Sequence, residues 1–84
     1  MKNYLKTVSI KGLITPTEWD NHGNITGISI SAFDEEEYPL YPDDKGRDLM
    51  SMVRQTVEIQ GEILEDEGKR RLKVINYTPL KVQP

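Results

Sequence analysis

Four cations fall within five consecutive residues: Lys69, Arg70, Arg71 and Lys73. From Lys69 to Pro84 the chain carries five positive charges and no acid, whereas Asp34 to Asp48 has a net charge of −5. Cations beside aromatic rings are what single-stranded nucleic acid needs: stacking contributes about 1–3 kcal/mol per base, and the cations neutralise phosphates. Trp19, Phe33 and Tyr41, with Lys11, are the other residues of a type to serve such a surface. The acids oppose it. Asp34-Glu35-Glu36-Glu37 repels phosphate within about 8–10 Å at physiological salt. Glu65, Asp66 and Glu67 adjoin the cations and can pair with them.

Other chemistries are poorly served. His22 is the single histidine and lies in the polar segment Trp19-Asp20-Asn21-His22-Gly23. A proton-transfer role needs an orienting partner and a pocket, and a lone turn histidine is read as an exposed loop residue. The acidic run offers oxygen ligands of the kind Ca²⁺ and Mg²⁺ prefer. Its spacing does not match an EF-hand loop, and consecutive strand residues point to opposite faces. A solvated hairpin tip that discourages edge-to-edge pairing is the plainer account. With no cysteine there is no thiol nucleophile, thiolate zinc site or disulfide. No nucleophile elbow, phosphate loop, dinucleotide fingerprint or zinc-protease motif occurs. The expectation is a non-catalytic chain without metal or cofactor.

The elements that position these groups follow from composition and parity. Eighty-four residues suit one domain, 1–84. There is one alanine against nineteen Val, Ile and Thr, so a mostly β domain is expected. The start, MKNYLKTVSIKG, is broken by Lys6, Thr7, Ser9 and Lys11, so neither a secretory leader nor a membrane span is expected. A cysteine-free domain suits a reducing cytoplasm.

The first strand is expected over about 5–15, with Val8, Ile10 and Ile14 on one face, a bulge or bend at Gly12, and Pro16 as its end. Residues 17–24 read as turn. A second strand over about 25–33 puts Ile28, Ile30 and Ala32 on one face and Ser29, Ser31 and Phe33 on the other. After the acidic tip, a short edge strand over 38–41 is expected, with Ile30 opposite Leu40, Ala32 opposite Tyr38 and Ser29 opposite Tyr41. One helix is expected over about 47–54, capped by Asp43 or Asp44, with Leu49, Met50, Met52 and Val53 facing a sheet. Val57, Ile59, Gly61 and Ile63 then alternate with polar residues, Asp66-Glu67-Gly68 turns, and Leu72 and Val74 continue the buried face through about 77. Residues 79–84 read as an irregular tail. Trp19 is expected either to fold over one end of the sheet or to present a contact surface.

The order is β-β-β-α-β-β, with one short helix between strands three and four. A five-stranded sheet of this size hides its edges best by curling closed. The stretch Val57-Glu58-Ile59-Gln60-Gly61-Glu62-Ile63, then Asp66-Glu67-Gly68-Lys69, then Leu72-Lys73-Val74 and Tyr77, resembles the last hairpin of small OB-fold domains. The Gly46–Arg54 segment resembles their barrel-capping helix. The resemblance covers roughly residues 5–78 and implies a five-stranded OB-like barrel, a small stand-alone domain of bacterial type. It further implies a cleft between the strand 1–2 and strand 4–5 loops. Trp19 and His22 would sit there across from Lys69, Arg70 and Arg71, with Lys11, Phe33 and Tyr41 on the outer sheet face between them. OB-folds bind oligonucleotides, oligosaccharides and proteins alike, so fold does not settle the role. Two functions are expected to compete: a monomeric protein-interaction or adaptor module, and a weak single-stranded nucleic-acid binder using Trp19, Lys11, Phe33, Tyr41, Lys69, Arg70, Arg71 and Lys73.

Overall fold

Inward parity drives the architecture seen in the computed structural model, which describes residues 2–80. Five strands form: β1 (Lys2–Trp19), β2 (Ile25–Ala32), β3 (Glu37–Pro39), β4 (Thr56–Asp66) and β5 (Lys69–Pro79). Between β3 and β4 lie a short helix, α1 (Asp44–Asp48), and a 3₁₀ turn, Leu49–Met52. The sheet is antiparallel in the order β3-β2-β1-β4-β5. Its edge strands are linked by the parallel bridge Leu40–Leu72, and the ladder does not continue around into a closed cylinder.

The even-numbered residues Ile10, Ile14, Ile28, Ile30 and Leu72 meet the odd-numbered Val57, Ile59 and Ile63 in one core. Ile14, Ile30, Leu49, Ile59 and Leu72 are fully buried. Burying each side chain of this size contributes about 1.5–3 kcal/mol. Leu49 is the fully buried residue of the helical segment and docks it on the sheet; Met50, Met52 and Val53 pack partly buried beside it.

β1 is longer than its sequence suggests. It pairs with β4 from Lys2 to Leu13 and with β2 from Gly12 to Trp19. Pro16 does not end it. The backbone of Ile14 bonds to Arg54 and Gln55, on the β4 side. Pro16 has the same parity, so its missing N–H faces that side beyond the end of the β4 ladder, where no bond is lost. The irregularity falls later, between Pro16 and Trp19. Gly12 carries no bulge: it holds a core position between Ala32 and Val57, and a Cβ there would strike the Ser31 carbonyl. A bulge does occur opposite Gly61, but on β5, with Ile75 as the extra residue between the pairs Gln60–Asn76 and Gly61–Val74.

Two other expectations are corrected. The β2–β3 register is Ile30–Tyr38, Ser29–Pro39 and Ser31–Glu37, two residues from the expected one. The tip is tighter than assumed: Glu35 takes a positive φ of 73°, and the Ala32 amide donates to the Glu36 carbonyl. A two-residue slip preserves which face is buried, so burial alone does not choose between the registers. The helix starts three residues early because the Asp43 carboxylate caps the Gly46 amide at 3.0 Å. β5 runs through Pro79, and the Leu80 amide donates to Thr56; the rest of the expected tail, 81–84, lies outside the described residues.

Candidate functional site: an open seam between β3 and β5

Alternation of hydrogen-bonded and non-bonded pairs along an antiparallel ladder decides which backbone groups face the gap between the two edges. The Leu40 amide donates to Ile28, and Ala32 donates to Glu36. Residues 36, 38 and 40 therefore bond to β2, and the backbone groups of Glu37, Pro39 and Tyr41 point away from it. On β5 the Leu72 carbonyl accepts from the Tyr41 amide at 2.8 Å. By the same alternation, the backbone of Arg70 also points toward β3.

A groove of about 350 Å³ occupies this gap. Its apolar floor is Ile63, Leu72 and the half-buried Tyr38. Glu36 and Glu37 line it from the β3 side and Arg70 and Arg71 from the β5 side, and Lys6 of β1 also reaches it. The type I′-like turn at Glu67-Gly68, with φ of 54° and 79°, sets the basic wall at the start of β5. Arg70 lies 3.8 Å from Glu65, with the two side chains 74% and 38% exposed, so solvent screens that pair heavily. Burial raises the Tyr38 phenol above its usual range, and the carboxylates of Asp34 and Glu36 add to the rise.

The remaining candidates are dispersed. Lys11 and Phe33 share a shallow outer-face groove with Ser9, Asp34 and Glu58, where Ser9 donates to Glu58 at 3.0 Å. Phe33 is 68% exposed. Lys73 is engaged elsewhere: its Nζ lies 2.8 Å from Asp43 Oδ2 and 5.8 Å from the centroid of Tyr41. Burial pushes the Asp43 carboxyl up, but the Lys73 hydrogen bond, the Gly46 amide and the Lys73 charge outweigh it and hold the group low. The hydrogen bond and charge of Asp43 raise Lys73. This cluster clamps β5 to the start of α1. Lys69 is exposed at the hairpin turn.

Trp19 closes no end of the sheet; it is 56% exposed, and the turn after it is built on Asp20, which accepts from the amides of His22 and Asn24. Those two backbone bonds, Asn24 foremost, hold the Asp20 carboxyl low. Trp19 pairs with Ile25 at one end of β1, whereas Lys69 pairs with Asp66, itself paired with Lys2 at the other end. None of the grooves described here contains residues from both ends. Ser29, expected on an open outer face, is buried between Thr15 and Pro39.

Sequence reasoning missed Lys6 and Pro39 in the seam, and the exposed Leu13 and Ile75. Lys6 was legible as the inward-parity neighbour of Val8, and Pro39 as a proline inside an edge strand. Among the described residues no three His, Asp or Glu side chains gather to hold a metal, and no helix is long and apolar enough to cross a membrane.

Fold and site define a small, mostly β domain with a five-stranded antiparallel sheet, one short helix and a charged seam. No protein-family model, no curated protein and no solved structure matches this chain.

Proposed function

We propose that the chain is a non-catalytic protein-interaction module built on an OB-like barrel that is open along one seam. The strand order, the bent β1 shared by both halves, the helix between strands three and four and the Leu40–Leu72 bridge support the barrel reading. A reducing cytoplasm accords with the cysteine-free composition.

The observation that carries the protein reading is the mixed sign of the seam. Lys6, Arg70 and Arg71 are the cations best placed to line a cleft, and Glu36 and Glu37 face them across it. A phosphate backbone entering this groove meets two carboxylates at close range, while the two large exposed rings, Trp19 and Phe33, lie outside it. A polypeptide carrying both charges has no such conflict.

The test is a competition between ligand classes. Labelled mixed-sequence single-stranded DNA is titrated at about 50 and 200 mM salt, following Trp19 fluorescence and label anisotropy. The expected result is no saturable binding at tens of micromolar protein. Saturable, steeply salt-dependent binding that disappears on Arg70→Ala with Arg71→Ala would establish the nucleic-acid function instead.

A further inference from the structure

We propose that Pro39 holds the β3–β5 seam open as an acceptor for an extended peptide, which adds as a strand; this rests on the protein-binding reading above. In a parallel ladder each bonding residue reaches two residues of its neighbour, one on either side of its opposite number. Leu72, opposite Leu40, reaches residues 39 and 41, and its bond to Tyr41 is present. One step further along, Arg70 falls opposite Tyr38 and would reach residues 37 and 39. Its carbonyl would need the amide of residue 39. Proline has none, so the zipper stops there.

The consequence is that the two edges join at Leu40–Leu72 and part beyond Pro39, where the groove opens. Glu37 and Arg70 both direct backbone groups into the gap, and the apolar floor of Ile63 and Leu72 lies beneath. Edge strands of this kind are templates for another chain. Main-chain bonds supply affinity in such complexes, and alternate side chains supply specificity. The occupant matched by this lining is an extended segment with apolar residues on its inner face and both an acid and a base on its outer face. The acid answers Arg71; the base answers Glu37. A uniformly anionic or uniformly cationic segment meets one repelling wall.

The probe is the capped peptide Thr-Val-Glu-Val-Lys-Val-Thr, added to the ¹⁵N-labelled full chain and followed by amide shifts. The expected result is saturable binding by about 1 mM, a modest affinity for so short a contact. The largest shifts should fall on Glu37, Tyr38, Arg70 and Arg71. A version N-methylated at alternate amides should bind at least about tenfold more weakly, as the loss of two strand hydrogen bonds implies.

Pro39→Thr supplies the missing donor. Its new amide should be protected from exchange, its melting temperature should not fall, and peptide affinity should drop by about tenfold or more, since one bonding edge is consumed. Absence of binding by about 1 mM overturns the proposal, as does equal affinity of the N-methylated peptide. Free exchange of the new amide, or unchanged affinity in Pro39→Thr, overturns the role given to Pro39. Shifts confined to Lys11, Phe33 or Trp19 overturn the seam while leaving a protein-binding function standing. Displacement of the peptide by single-stranded DNA overturns the protein-binding reading itself.

Discussion

Asp43 does two jobs with two oxygens, and substitutions can separate them. Oδ1 caps α1 by accepting from Gly46 at 3.0 Å, and Oδ2 pairs with Lys73 at 2.8 Å. An N-cap contributes typically about 1 kcal/mol. The ion pair is partly exposed, at 25% for Asp43 and 41% for Lys73. Screening at that exposure leaves it worth only about 0.2–1 kcal/mol. Asp43→Ala loses both and should cost about 1–2 kcal/mol. For a domain of this size that is a fall in Tm of roughly 5–15 °C. Asp43→Asn keeps a capping oxygen and loses only the pair, so it should cost about 0.2–1 kcal/mol. The difference has a pH signature. The folded carboxyl is held below its ordinary value, so its stabilisation is fully present above about pH 4 and is lost as pH falls through the lower folded value. Lys73 is raised, so its share persists to the ordinary ammonium range near pH 10.4 and is lost as pH rises through the higher folded value. Urea melts of wild type, both variants, Lys73→Met and the Asp43→Asn/Lys73→Met double variant, each at neutral and strongly acid pH, measure all of this. Equal costs for Asn and Ala refute the cap. A cycle without coupling, or a wild-type advantage over Asn that survives full protonation, refutes the pair.

Gly12→Ala should destabilise by about 1–3 kcal/mol, because the added methyl meets the Ser31 carbonyl and the Ala32 Cα, both rigid backbone; an unchanged thermal melt would disprove the close approach. Tyr38 should titrate above the ordinary phenol value in an absorbance scan, and Glu36→Gln should lower it partway, since burial remains the larger cause; a Tyr38 titrating at the ordinary value would place its ring in solvent.

Parity made most of the fold legible. The buried sets Ile28-Ile30-Ala32, Val57-Ile59-Gly61-Ile63 and Leu72-Val74 were read directly from alternation, and each lies on the core face. Asp66-Glu67-Gly68 signalled a hairpin turn, and the chain reverses at Glu67-Gly68. What parity cannot see is a slip of two residues, and there the chemistry of the tip at Glu35 decided. Nor can it see a neighbour. Pro16 is tolerated because β4 has already ended beside it, and glycine stands at 46, in the first turn of α1, because the Tyr41 carbonyl leaves no room for a Cβ. The candidate site was legible by type and not by place. Arg70 and Arg71 do line a groove, but the groove faces the acidic tip rather than Trp19, because the two loops stand at opposite ends of β1. Lys73 and Tyr41 were read as ligand contacts and are occupied in the clamp with Asp43.

The division of β1 between two partners bears on how the chain acquires its shape during synthesis. Its second half finds β2 as soon as one turn has emerged, but its first half must wait for β4, whose Glu58 lies 49 residues beyond the Ser9 it finally touches. Until then the nascent three-strand meander leaves Val8 and Ile10 on an unguarded rim, open to the wrong neighbour. Delay between the two halves thus sets the interval during which that rim can mispair.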